Sequence, residues 1–248
     1  MTSTEIILLC GAAFVGSSFN AVAGGGSFFV FPALLFAGVP VINANAINTI
    51  SLWPGAVSSA YQLKAHLKVE KKIVWQFALL SIFGSLIGTS LFVFTPESVL
   101  NYLLPFLLLS ATLILAFQTK ITDCIQNNLS VGYASIFLFF IAVYGGYFGG
   151  GIGILMLATL SMMGFTNLLQ MNAFKSFLVS LINGMCVLYF VFLKLVYWEI
   201  AIYMIAFGIM GGLFGTYILK SVNAKFLHKF IICVGFFVSV YLFCKYYL

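Results

Sequence analysis

The chain contains no arginine, and only 6% of its 248 residues are charged. An ordinary soluble domain carries about 25% charged residues, so a water-soluble fold is excluded. Without a guanidinium fork, an anion must be gripped by backbone N–H groups, lysine or neutral donors. Carboxylates are equally scarce. Glu5, Glu70, Glu97, Asp123 and Glu199 each fall at a predicted helix end or loop, so none stands mid-span, where a proton relay would need one. Cys10, Cys124, Cys186, Cys233 and Cys244 are isolated, with no CxxC or Cys/His spacing. They read as small apolar side chains rather than zinc, haem or redox ligands. His66 and His228 lie in or near lysine-rich stretches, where solvation is expected rather than catalysis. The pattern offers no nucleophile with its base, no paired acids and no metal cluster. The expectation is no enzyme, no cofactor and no metal.

What is present is apolar. Hydrophobic residues make up 63% of the chain, and the mean hydropathy is +1.16. That length holds about 8 to 10 membrane segments at roughly 20 residues each. The net charge of +6 comes from eleven lysines. In a membrane protein such a balance reports the positive-inside bias of loops, not nucleic-acid binding. The start, Met1 to Glu5, has no basic run, so no cleaved signal peptide is expected. Trp53, Trp75, Trp198 and the tyrosines fit interface anchors or pocket walls.

The stretch that organises the chain is Asn20 to Pro32, where Gly24, Gly25 and Gly26 interrupt a hydrophobic run. Ser27 to Gly38 then reads as a half-helix, or a short span that dips into a cavity, about 18 Å long against a hydrocarbon core of about 30 Å. Pro40 to Asn45 reads as a turn. Ala46 to Leu63 is a span interrupted at Trp53-Pro54-Gly55, and Lys64 to Lys72 is the most basic loop. Spans at Ile73–Phe94 and Val99–Phe117 follow, and a loop at Gln118–Asn128 closes the first half. The second half reads Ser130–Phe148, a break at Gly149, Gly150 and Gly151, then Ile152–Met163, Met171–Phe192, Ile200–Leu219 and Phe230–Phe243.

The halves correspond by position. Gly24–Gly26 matches Gly149–Gly151 at an offset of 125. Asn45-Ala46 matches Asn172-Ala173 at 127, and Gly84 to Thr89 matches Gly211 to Thr216 at the same 127. The two extra residues fall in the turn, and chance would not keep so nearly one offset over three separated motifs. The expected organisation is one transporter domain over residues 1–248, with a first repeat at about 5–118 and a second at about 130–247. An odd number of segments per half inverts the second copy. Loop lysines agree: 64–72 and 220–229 carry them, whereas the turn 95–97 has none.

In these motifs the chain resembles the sulfite exporter TauE/SafE family of membrane permeases. The resemblance rests on Gly24–Gly26, Pro32, Ala44 to Ser51, Lys64 to Lys72 and Gly84 to Thr89. It is repeated in Gly149–Gly151, Asn172 to Ser176 and Gly211 to Thr216, and it covers almost the whole chain. Leu157 stands where the second copy would carry the proline. The resemblance implies a multi-pass permease of the bacterial inner membrane, often an exporter, for sulfite, thiosulfate or organosulfonates.

The expected fold is an all-α integral membrane protein of two repeated, inverted halves, with its site between the glycine breaks. Broken helices free N–H groups and point dipole ends into the protein, and transporters place anion sites there. The candidate substrate-binding residues are Gly24, Gly25, Gly26, Gly149, Gly150, Gly151, Asn20, Asn45, Asn48, Asn172 and Lys175. Thr49, Ser51 and Ser176 are further neutral donors. Lys175 lies a few residues into an apolar helix; it either serves function or snorkels to the interface. Its repeat partner is Asn48. The Gly-x-x-x-Gly motifs at 84–88 and 211–215 read as helix packing. The expected partners are the lipid bilayer and a small anion, with homo-oligomerisation open. Transport would be alternating access with potential-driven release; an anion channel or a non-transporting scaffold are the alternatives.

Overall fold

The computed structural model describes residues 3–22, 25–124, 130–218 and 224–247. Within them the chain is helical throughout, with no strand. The helices are α1 (Ser3–Val22), α2 (Ser27–Phe36), α3 (Val41–Leu63), α4 (Lys71–Phe94), α5 (Glu97–Cys124), α6 (Val131–Tyr147), α7 (Ile152–Met162), α8 (Leu168–Phe192), α9 (Trp198–Ile218) and α10 (Ala224–Tyr247). Segments in α1, α4, α8 and α9 are long and apolar enough to cross a membrane. Large apolar side chains cover the outside; Phe192 is 83% exposed and Tyr217 82%. Such a surface is stable only against lipid.

Both glycine breaks appear as expected, with short helices after them. Three boundaries differ. Residues 41–45, expected as a turn, already belong to α3. Glu97 Oε1 accepts from the Val41 N–H at 3.2 Å, and Asn43 Nδ2 donates to the Leu195 carbonyl at 2.8 Å, so tertiary partners satisfy this polar start. The same helix runs through Pro54 without interruption. Gly55, beside the proline, is pressed between Ser17 of α1 and Gly208 of α9. Finally, α5 and α10 outrun the expected spans, α5 absorbing most of the predicted 118–128 loop. These two helices pack antiparallel. The Tyr247 hydroxyl donates to the Tyr102 carbonyl at 3.1 Å, and Phe106 faces Phe243 with ring centroids 6.2 Å apart.

The direction of each helix follows from such contacts. Antiparallel to α1, α2 turns back along it: Gly16 meets Gly26 and Val30, the Phe19 and Phe29 rings stand 4.8 Å apart, and Glu5 lines a groove with Ala37. The pair is therefore a hairpin whose two outer ends share one end of the molecule. Glu97 meets Val41 at that end, and Ile6 lines a groove with Trp198 and Glu199. We call it the acidic end. The opposite end carries Lys64, Lys68, Lys71 and Lys72 around the turn from α3 to α4.

Helix α6 starts from the lysine end, because it runs parallel to α4. Gln76 Nε2 donates to Ser135 Oγ at 2.8 Å, and Gly84 and Gly88 then meet Phe139, Ala142, Val143 and Tyr147 in rising order. The start of α8 is at the lysine end too, where Gln170 Nε2 donates to the Lys68 carbonyl at 2.5 Å. So α1–α2 enters from the acidic end and α6–α7 from the lysine end. Three helices per half, α3–α5 and α8–α10, run from end to end. The sequence leads one to expect an odd number of crossing segments per half, five if the short ones cross; a hairpin plus three end-to-end helices leaves the parity odd.

The glycine motifs hold helices in backbone contact. A Cβ at Gly88 would overlap the Val143 carbonyl of α6, and one at Gly211 or Gly215 the Phe14 or Ser18 carbonyl of α1. Across the latter seam Ser18 Oγ donates to the Gly211 carbonyl at 2.9 Å. Small residues permit this approach, and the gain is close van der Waals packing. The hairpin helix of each half thus packs on the fourth helix of the other: α1 on α9, and α6 on α4.

Candidate functional site

The tips of the two hairpins meet inside the bundle. Between them is an enclosed polar cavity of ≈ 10 Å³, lined by Asn20, Ser27, Asn48, Thr49, Leu52, Gly149, Ile152, Val179 and Asn183. That volume is about one water molecule. The lining pairs positions of the two halves. Ser27 and Ile152 are 125 apart, and Leu52 and Val179 are 127 apart, the offsets of the sequence repeat. Ser27 is the first residue of α2 and Ile152 the first of α7. Both helix N-termini therefore abut the cavity, with the positive ends of their dipoles.

Glycine is required at these tips by the backbone. Gly25 has φ 117°, Gly149 φ 75° and Gly151 φ 77°, a region that costs other residues strain. Gly26, the residue before α2, lies so close to the Gly16 carbonyl that a Cβ would overlap it. The N–H groups of Gly150, Gly151 and Gly153 find no backbone acceptor among the described residues. The Gly150 carbonyl accepts from the Tyr144 hydroxyl at 2.8 Å. Gly24 lies outside the described residues.

The polar residues divide into those that face the cavity and those that cap helix ends. Asn48 Nδ2 donates to Ser27 Oγ at 3.2 Å, while Asn48 Oδ1 is buried with no partner. An unpaired buried acceptor costs about 1–3 kcal/mol, so Asn48 stands ready for a ligand donor or a water. Thr49 and Asn20 also line the cavity. Asn45 does not; its Nδ2 reaches the Tyr147 carbonyl at 3.4 Å, at the last residue of α6. Ser51 Oγ bonds the Ile47 carbonyl of its own helix, and Ser176 is buried.

Lys175 is 2% exposed, so it does not snorkel to an interface. Its ammonium donates to the carbonyls of Asn20 and Ala21, both at 3.2 Å, and to Asn172 Oδ1 at 2.9 Å. Asn172 in turn donates from Nδ2 to the Leu168 carbonyl at 3.0 Å. Three N–H donors meet three acceptors, which saturates the group. Two of these acceptors are last-turn carbonyls of α1, the negative end of its dipole. Each hairpin's first helix is thus capped from the other half: α1 by Lys175 and α6 by Asn45. Asn45 is the repeat equivalent of Asn172, 127 positions earlier.

Ser27 and Asn183 were not among the residues singled out by sequence. Asn183 had a legible signal, since Lys175, Val179 and Asn183 repeat every four residues on one face of α8. Trp53 is neither anchor nor pocket wall: its Nε1 donates to the Ser180 carbonyl at 3.0 Å, joining α3 to α8. Trp75, 69% exposed, suits an interface.

An all-α chain with a lipid-facing surface and two broken hairpins meeting at an internal polar cavity is a multi-pass membrane transporter. The chain belongs to the sulfite exporter TauE/SafE family, which matches residues 8–242. It is similar to a probable membrane transporter protein of Haemophilus influenzae (strain ATCC 51907 / DSM 11121 / KW20 / Rd), with 27% identity over 94% of this chain and 92% of the relative. A probable membrane transporter protein, ORF9, of a Sinorhizobium species is 26% identical over 92% and 88%. The probable membrane transporter protein YfcA of Escherichia coli (strain K12) is 25% identical over 87% and 81%. The family and these relatives are transporters, not enzymes. No solved structure matches.

Proposed function

We propose that the protein carries a small sulfur-containing anion, such as sulfite, thiosulfate or an organosulfonate, through the cavity between the hairpin tips. The observation that supports this most is the abutment of two helix N-termini on a polar, carboxylate-free cavity. Oriented N–H groups and neutral amide donors suit an oxyanion in the absence of arginine. The family's printed name, sulfite exporter, supports that substrate class.

The chain is read as one transporter domain made of two inverted repeats, with the site on the boundary between them. The ≈ 10 Å³ cavity is a closed form, which favours a carrier over an open channel. In the alternating-access cycle α1 and α2 move with α9, and α6 and α7 with α4, because backbone seams bind these sets. The lysine end faces the cytoplasm. Glu5, Glu70, Glu97 and Glu199 all lie at helix ends, so no described carboxylate stands at the cavity for a proton relay. An anion leaving a negative interior gains about 2.3 kcal/mol per charge per 100 mV, which drives release without an obligatory proton.

The test is thermal stabilisation of the purified protein by sulfite, thiosulfate, taurine, sulfoacetate, sulfate, phosphate and chloride. A ligand at about 100 times its Kd adds about 2.7 kcal/mol. The expected result is a shift with one sulfur anion, lost in Asn48→Leu. No shift with any anion would overturn the reading, and a pH-gradient requirement in voltage-clamped proteoliposomes would overturn the driving force.

A further inference from the structure

In transporters built from broken helices, unwound carbonyls and helix C-terminal ends are the groups that hold a coupling cation. Here such a set exists and is occupied. The carbonyls of Asn20 and Ala21, in the last turn of α1, converge with Asn172 Oδ1 on one point, and Lys175 Nζ sits at that point. The acceptors are neutral oxygens, the preference of a hard monovalent cation. They come from both halves, and they lie directly behind the cavity, since Asn20 contributes to each. All three ammonium N–H groups are used, which leaves none to point at a substrate.

We propose that Lys175 is a tethered substitute for a coupling cation. Its ammonium holds the negative end of α1 where a free alkali ion would otherwise bind. The carrier therefore needs no sodium or potassium at this position, and deleting the side chain creates a monovalent-cation site. The inference rests on the carrier reading but not on the identity of the anion. The position 127 residues earlier is the neutral Asn48, so only one of the two tips carries the built-in cation.

The experiment compares wild type, Lys175→Ala and Lys175→Met by thermal unfolding in detergent. Sodium, potassium, methylammonium or choline chloride is titrated at constant ionic strength. Wild type is expected to unfold at one temperature in all four. Lys175→Ala starts lower and regains several degrees, saturably, with sodium, potassium or methylammonium but not with choline. Lys175→Met, which fills the space with an apolar chain, regains nothing. A purely structural lysine predicts no ion-specific recovery. Failure of Lys175→Ala to respond, or an equal response from Lys175→Met, overturns the proposal. If Lys175→Ala does not fold, wild type decides: a sodium- or potassium-specific stabilisation overturns it, and indifference to all four salts supports it. No sulfur anion enters these measurements, so their failure is separate from failure of the anion panel.

Discussion

The two hairpin tips share a design and differ in how their ends are neutralised. At the first, three hydrogen bonds from one ammonium cap two carbonyls of α1 and an amide. At the second, the Asn45 amide reaches the Tyr147 carbonyl of α6 at 3.4 Å and the Thr89 hydroxyl reaches the Gly146 carbonyl at 3.1 Å, both neutral donors. The first tip is also closed by a backbone-to-backbone approach of Gly26 on Gly16, whereas a Cβ at its counterpart Gly151 would meet nothing nearer than 3.8 Å and one at Gly150 would meet the ring of Phe148. The same breaks occur twice, but one tip is held by a charged group and the other by neutral ones.

The comparison can be broken most sharply at Lys175. Lys175→Ala strands three buried acceptors and should cost about 3–5 kcal/mol, read as a large fall in chemical or thermal unfolding midpoint in sodium-free buffer. Gly26→Ala comes next. Its Cβ meets backbone rather than a side chain that can move, and overpacking of this kind costs about 1–3 kcal/mol. Asn45→Ala removes one long hydrogen bond at the second tip and should cost about 1 kcal/mol. Gly150→Ala is the smallest. The backbone there is not in the positive-φ region, the Phe148 ring can shift, and a change within about 0.5 kcal/mol is expected. Equal costs for Gly26→Ala and Gly150→Ala, measured side by side, would remove the claim that Gly26 is held by backbone and Gly150 by a ring that can shift.

Much of this architecture was legible in the residues. Consecutive glycines in an apolar run mark a break because no other residue supports that backbone without strain, and a constant offset marks duplication. The return of α2 along α1 was not legible. Hydropathy records length and burial but not direction, and ten apolar residues look alike crossing half a bilayer or retreating. The start of α3 was misread because Asn43 and Asn45 look like turn residues until their partners, Leu195 and Tyr147, are brought from distant sequence. Lys175 was visible as an anomaly, but its acceptors are main-chain carbonyls about 150 residues away, which carry no sequence signature. Ser27 was unremarkable for the same reason: one hydroxyl acquires meaning only from Asn48 across the tip.

The seam between α1 and α9 has a consequence for synthesis. Ser18 finds its partner carbonyl at Gly211, 193 residues later, whereas Gln76 of α4 finds Ser135 of α6 after 59. At about 5–20 residues per second, α1 waits roughly 10–40 s for α9, and the second hairpin is seated well before the first. During that interval Gly16, Ser17 and Ser18 face lipid or an insertion factor. A chain truncated before residue 198 should accordingly still cross-link a Gln76→Cys/Ser135→Cys pair across the seam of α4 and α6, while α1 lacks the partner it meets in the full chain.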